Sequence, residues 1–277
     1  MKKWMKKSWL VSLGLVLVLS VGLAGCGSSN SDNSVKKIKD KKTLVVGTSA
    51  DYAPFEFPIV KNGKKQITGY DILIAKQIAD DMGVKLKIEN TEFSSLISDL
   101  KGDKVDLILS GMTSTPARKK QVTFSKSYYT VNNYLLVKKA DANKYNTVAD
   151  TKNAQIGAQQ ASTQEQIAKK QTKGNVVTEG MVTSLVTELQ QGKLDGVVVE
   201  SEIADNYLKT NPDKYVKAKL KLNTPSTQSH INVAGRKNDK KLMKQVNKTV
   251  TKLQKNGDMD KLLQKAENIQ AKYGTAK

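Results

Sequence analysis

The sequence predicts an α/β protein built from two similar units in series. Three observations carry this. Short β-rich runs alternate with helical periods between residues 43 and 111, and the same alternation restarts near residue 155. Capping and turn residues stand where one element gives way to the next.

Residues 43–47 form the first β-rich run. Ile74, Ile78 and Met82 share one face of a helix over 72–82, with Asp71 placed to cap its start and Gly83 its end. Val84, Leu86 and Ile88 alternate as in a half-buried strand, Ser94 or Ser95 can open a short helix, and VDLILSG at 105–111 reads as a buried strand. That order predicts a sheet of mostly parallel strands. In the second unit, residues 155–158 are a short strand, Ser162 and Glu165 make an S-x-x-E capping box, and residues 175–178 are another strand. Val182, Leu185, Val186 and Leu189 line a helix, and LDGVVVE at 194–200 is a strand ending on a carboxylate. Beyond it, HINVAG at 230–235 is strand-like, and residues 239–273 read as helical, with Met243, Val246, Val250 and Leu253 on one face.

Ahead of these units, MKKWMKKSW and the apolar run that follows have the order of a secretory signal. The run ends in Leu23-Ala24-Gly25-Cys26, which resembles the bacterial lipobox and implies lipid on Cys26 after removal of residues 1–25. An uncleaved anchor is the alternative; on either account the protein is exported and tethered to the membrane. GSSNSDNS then reads as a flexible spacer, with the fold expected to begin near Lys39. Cys26 is the only cysteine, so no internal disulfide is expected and stability rests on burial. The remaining 252 residues suffice for one large domain or two lobes.

Forty-six basic against 26 acidic residues give a formal charge of +20, or +16 once Lys2, Lys3, Lys6 and Lys7 leave with the signal. The lysines are spread along the chain, aromatics make up 5%, and no nucleic-acid-binding motif is present, so nucleic acid is not an expected partner. A solvated basic surface facing an anionic wall or membrane accounts for the excess.

Ligands in open α/β sheets bind beyond the carboxyl ends of strands, and here those ends are polar. They lead into TSADYAPFEF at 48–57, Ser110-Gly111-Met112-Thr113, Gln159-Gln160-Ala161-Ser162-Thr163 and Glu200. Arg118 is one of only two arginines and follows a Thr115-Pro116 helix start. Its planar fork suits a carboxylate, although an internal salt bridge or stacking on Tyr128 or Tyr129 would also account for it. Ser162 and Thr163 can serve an anion at a helix N-terminus or simply cap. Glu200 can hold an ammonium group or stand solvated. Tyr52, Phe55 and Phe93 read as core more readily than as platforms for a ligand. Asp51, Glu56 and Glu92 can accept a cationic side chain, and Gln159 or Gln160 an amide, if they are not merely solvated.

Taken in order, LVVGTSADYAPFEF, ITGYDILIAKQIA, FSSLISDLKGDKVDLILSGMTSTPARKKQVTFSKSYY, IGAQQASTQE and GKLDGVVVE resemble the extracellular solute-binding proteins of polar amino-acid ABC importers over about residues 40–275. The resemblance implies a two-lobed periplasmic-binding-protein fold of type II with two hinge strands. Lobe 1 would comprise 39–130 and 231–277, and lobe 2 would comprise 131–230, after a signal at 1–25 and a linker at 26–38. It implies that Tyr52 and Phe93 flank the ligand side chain, that Ser110, Gly111 and Thr113 hold the α-amino group, that Arg118 clamps the α-carboxylate with Ser162 and Thr163, and that Glu200 pairs with the ammonium. Asp51 and Gln159 are candidates for specificity. The family usually has glycine where Ala161 stands and aspartate where Glu200 stands. The expected function is a lipid-anchored receptor on the outer face of the membrane. As a monomer it would deliver a polar or basic L-amino acid to a permease and its ATPase, without a cofactor.

An enzyme is the main rival, since some proteins of this fold are small-acid lyases, with Glu200 as acid or base. No Ser-His-Asp or Cys-His set accompanies it, and the single histidine, His230, reads as structural. Surface adhesion is a third possibility. No metal-ligand spacing is present.

Overall fold

The computed structural model describes residues 32–273, so the signal, Cys26 and the first part of the spacer lie outside the described residues. The spacer expected up to residue 38 ends earlier: helix α1 spans Ser34–Asp40 and buries Ile38. Val35 and Ile38, three apart, share the face that packs inward.

Next come strand β1 (Thr43–Thr48), a hairpin of β2 (Phe57–Lys61) and β3 (Lys64–Thr68), helix α2 (Tyr70–Met82) and strand β4 (Lys85–Asn90). A 3-10 turn at Phe93–Ser95 leads into α3 (Leu96–Lys101), then β5 (Leu107–Ile108), α4 (Pro116–Gln121) and β6 (Thr123–Thr130). The second half holds β7 (Asn133–Lys138), β8 (Gln155–Gln159), α5 (Thr163–Gln171), β9 (Asn175–Glu179), α6 (Val182–Gln191), β10 (Gly196–Glu200), α7 (Ser201–Thr210) and β11 (Tyr215–Lys217). Strand β12 (His230–Gly235) and helices α8 (Lys240–Lys255) and α9 (Asp258–Tyr273) close the chain.

Two five-stranded sheets result, ordered β4-β1-β5-β12-β6 and β11-β7-β10-β8-β9. Each forms the centre of one lobe. The chain passes from the first sheet to the second between Thr130 and Asn133, and returns between Lys217 and His230. In each sheet four of the five strands run one way and one strand opposes them. In the first, β1 runs parallel to β4 and β5 while β12 opposes both β5 and β6; in the second, β8 runs parallel to β9 and β10 while β7 opposes β10 and β11. The antiparallel strands are those next to the crossings, where the chain enters and leaves a sheet from the other lobe.

Three local expectations change. Asp71 does not cap α2: Gly69 occupies the N-cap at φ 132°, where an added Cβ would meet the Phe55 carbonyl oxygen at 2.2 Å, and Asp71 lies fully buried in the first turn. Ser95 precedes α3 without a side-chain capping bond. The helical stretch at 239–273 breaks at Gly257, whose φ of 68° no continuous α-helix accommodates. The apolar spacing of Met243, Val246, Val250 and Leu253 holds in α8, which packs on α2 and β6.

Among the described residues no helix is long and apolar enough to cross a membrane.

Candidate functional site

The cleft lies between the carboxyl ends of the parallel strands of the two sheets. From the first lobe it is lined by Ser49, Asp51, Tyr52 and Glu56 after β1, by Phe93, and by Ser110, Gly111, Thr113 and Arg118 after β5. The second lobe contributes Gln159 after β8, Thr163 and Gln164 at the start of α5, and Glu200 at the end of β10. Every residue expected to touch the ligand or to set specificity lines this cleft except Ser162, which stands directly behind as the N-cap of α5; Phe55, Glu92 and Gln160 do not line it.

Arg118 owes its place to a short, well-started helix. Thr115 accepts the Arg118 N–H at 3.2 Å, and Pro116 fills the first helical position. The guanidinium is buried. It donates to the Thr113 carbonyl at 3.0 Å, to Thr113 Oγ1 at 2.9 Å and, across the cleft, to the Ala161 carbonyl at 3.0 Å. Its central carbon lies 5.1 Å from the centre of the Phe93 ring. None of the ion pairs among the described residues includes it, and the ring beneath it is Phe93, not Tyr128 or Tyr129. Burial lowers its pKa to about 10, opposed by the negative charge of Glu200; it remains a cation at neutral pH.

The acids of the cleft behave in the opposite sense. Glu200 is 2% exposed, and burial raises it to about 8 against the hydrogen bond it accepts from Gln164 Nε2 at 3.0 Å. Its second oxygen, Oε2, is buried without a partner. Asp51 is raised to about 6 by burial, although it accepts from Val182 N–H, from Ser49 Oγ at 3.0 Å and from Gln159 Nε2 at 3.4 Å. Helix α6 has Met181 at its N-cap, a side chain that cannot cap, so Asp51 of the facing lobe supplies the acceptor.

Around the anion-binding turn, Ser162 Oγ accepts the Glu165 N–H at 3.1 Å. Glu165 reaches back to the N–H of Ala161 at 2.7 Å, one residue earlier than in a standard capping box. Ala161 itself lies at φ 61°, the left-handed region where glycine carries no Cβ penalty. Gly111 has φ 53°, and a Cβ there would press on the Tyr52 ring at 3.3 Å.

Two contributors were missed or undervalued in the sequence. Gln164 is buried and bridges Asn133 Oδ1 at 2.8 Å and Glu200, yet nothing in its local pattern distinguishes it from a solvated glutamine. Glu56 is 1% exposed, with Oε1 accepting from Ser110 Oγ at 3.2 Å. Glu92 and Gln160, by contrast, are exposed and do not line the cleft. The enclosed space is about 10 Å³, room for roughly one water. Admitting anything larger requires the inter-lobe bonds of Arg118 and Asp51 to open. No group of three or more Cys, His, Asp or Glu among the described residues is disposed to hold a metal.

Two sheet-centred lobes, two crossings and a polar cleft with one buried cation opposite buried acids define a two-lobed binding protein of the periplasmic-binding-protein fold. Comparison with known proteins agrees. Residues 44–267 match the model of the bacterial extracellular solute-binding proteins, family 3, and the chain belongs to that family. It is 36% identical to the arginine-binding extracellular protein ArtP of Bacillus subtilis, over 94% of this chain and 97% of that protein. The amino-acid ABC transporter substrate-binding protein AbpA of Streptococcus pneumoniae, solved bound to L-arginine, superposes with a TM-score of 0.80 at 37% identity, covering 83% of this chain and 97% of that one. An ancestral amino-acid-binding protein described as a precursor of cyclohexadienyl dehydratase is also similar, with a TM-score of 0.76 at 34% identity, covering 84% and 98%.

Proposed function

We propose that this protein is an extracellular receptor for an L-amino acid with a cationic side chain, arginine above all, and that it hands its ligand to an ABC importer permease. The charge inventory of the cleft carries this reading: Arg118 is the one cation among the lining residues, and Asp51 and Glu200 face the same space. A zwitterion alone satisfies Arg118 and one acid. A further positive charge on the guest matches Asp51, the acid that remains, as burial of an unpaired carboxylate demands.

In this reading the guest's carboxylate takes the Arg118 donor now given to the Ala161 carbonyl, supported by the first N–H groups of α5. Its ammonium group lies among Ser110, Gly111, Thr113 and Glu200, and its side chain passes between Tyr52 and Phe93 toward Asp51 and Gln159. Arg118 belongs to one lobe and Glu200 to the other, so the guest favours the closed arrangement by touching both at once. The relatives named for arginine support the ligand class. The lipid anchor at Cys26, the outer face of the membrane as the site of action and a monomeric state belong to the same proposal.

Calorimetric titration with L-arginine, L-lysine, L-histidine, L-glutamine and L-cystine tests it. Arginine or lysine is expected to bind tightest, and a ligand at 100 times its dissociation constant stabilises the fold by about 2.7 kcal/mol. Tighter binding of glutamine would remove the charge argument, and no binding by any amino acid would remove the receptor reading.

A lyase reading has one observation in its favour: Glu200, raised to about 8, suits a general acid, and a related ancestral protein preceded a dehydratase. Binding without turnover is the reading adopted. Mass spectrometry of a candidate ligand after prolonged incubation is expected to return it unchanged, and a dehydrated or deaminated product would reverse the choice.

A further inference from the structure

Glu56 at the floor of the cleft and Asp71 beneath it form a pair that ligand binding as described does not use. Glu56 closes a tight turn by pairing with Tyr52, and Asp71 sits in the first turn of α2, its N–H bonded to the Phe55 carbonyl at 3.0 Å. Both side chains are sealed from solvent, at 1% and 0% exposure, and they hold consecutive residues of one loop, Glu56 at Ser110 and Asp71 at Gly111, close enough for each to act on the other's charge.

One oxygen of each is occupied. Glu56 Oε1 accepts from the Ser110 hydroxyl, while Asp71 Oδ2 accepts from the Gly111 N–H at 2.8 Å and the Tyr128 hydroxyl at 2.8 Å. The other oxygens, Glu56 Oε2 and Asp71 Oδ1, are buried without a donor. Two ionised carboxylates so placed would hold like charges together where neither is hydrated. No lysine or arginine forms an ion pair with either among the described residues. The charges nearby are those of Asp51 and Glu200, which add to the repulsion, and of Arg118, which lines the same cleft; Tyr70 and Tyr128 pack against the Asp71 side. A single proton between the two unpartnered oxygens satisfies both.

We propose that Glu56 and Asp71 share one proton, held on Glu56 Oε2 and donated to Asp71 Oδ1, and act as one singly charged positioning unit beneath Ser110 and Gly111. Burial first, and the charge of Asp71 second, hold the Glu56 carboxyl well above the usual range. The unit does two things. Through Ser110 Oγ and the Gly111 N–H it sets the loop expected to receive an ammonium group, and it places one buried negative charge, not two, under that loop. The affinity readout below rests on the amino-acid-binding reading; the spectroscopic one does not.

Glu56→Gln copies the protonated acid, with a carbonyl for Ser110 and an N–H for Asp71. Arginine affinity of this variant, followed by calorimetry between about pH 5 and 9, is expected to stay within about twofold of the parent, whereas Asp71→Asn, which deletes the one charge, loses about tenfold or more. Infrared difference spectra of the ligand-free protein at about pH 9, where Glu200 is mostly ionised, are expected to contain the carbonyl stretch of a protonated carboxyl that Glu56→Gln lacks. Tenfold weaker binding by Glu56→Gln, or no protonated-carboxyl band assignable to Glu56, would overturn the proposal. If no amino acid binds, the infrared result still decides it.

Discussion

Arg118 of the first lobe donates through Nη2 to the Ala161 carbonyl of the second at 3.0 Å, so one arginine side chain spans the cleft. Its Nη1 donates to both the carbonyl and the hydroxyl of Thr113, which holds the fork in a fixed plane. Lysine has neither the plane nor the number of donors. Arg118→Lys is therefore expected to weaken amino-acid binding by about tenfold to a hundredfold, the cost of losing a charge-assisted pair. Titration calorimetry measures the loss, and an unchanged circular dichroism spectrum separates it from misfolding.

The acceptor in that pair sits on strained backbone. Ala161 at φ 61° bears a Cβ in the left-handed region, which costs about 1–2 kcal/mol relative to glycine before glycine's extra chain entropy is counted. Ala161→Gly is expected to be neutral or to stabilise by up to about 1 kcal/mol in urea unfolding, with the capping contacts of Ser162 and Glu165 retained.

Stability of the ligand-free protein is expected to fall as pH rises from about 5 to 9. Asp51 and Glu200, raised to about 6 and about 8, keep protons in the folded state that the unfolded chain has already released near pH 4, and Glu56 is shifted in the same direction. The unfolded state then binds fewer protons, so the slope of unfolding free energy with pH is negative. Carboxylates shifted the other way, such as Asp81 and Asp195, act only below about pH 4 and leave this window clear. Thermal melts across the series test the sign, and Glu200→Gln should remove the portion of the decline that extends above about pH 6 and ends near pH 8.

Arg236, the second arginine, has a different task. It donates to the carbonyls of Leu100 at 3.0 Å and Val105 at 2.6 Å and pairs with Asp239 at 2.8 Å, fastening the end of β12 to the loop before β5. Lysine cannot satisfy these acceptors together. Arg236→Lys is expected to cost about 1–3 kcal/mol in chemical denaturation while leaving ligand affinity unchanged.

Much of this site could be read from residue order, and what could not has a common cause. Glu200 at the end of a five-residue apolar strand, and Ser162 opening a capped helix, follow from local periodicity and capping rules that act within a few residues. The hairpin of β2 and β3 also had a local signal in Asn62-Gly63, which a search for α/β alternation passes over. Glu56, Asp71 and Gln164 had none. Their burial is imposed by partners distant in sequence, Ser110, Gly111, Tyr128 and Asn133, and an acid or amide looks the same in a pattern whether water or a serine lies beyond it. The antiparallel strands β7 and β12 escaped the parallel expectation for a similar reason: their direction is set by the crossings between lobes.

The seat proposed for the ammonium group is also stitched to the returning chain. Thr113 bridges Ile231, the Asn232 N–H bonds the Met112 carbonyl at 3.0 Å, and the Ser114 N–H bonds the His230 carbonyl at 3.2 Å. Stiff peptide planes, not pliant side chains, therefore link the receiving loop to the strand on which the chain returns to the first lobe. In the proposed receptor, a guest held at Thr113 therefore pulls directly on the returning main chain, and substitutions at this seam are expected to alter the rate of capture as well as its strength.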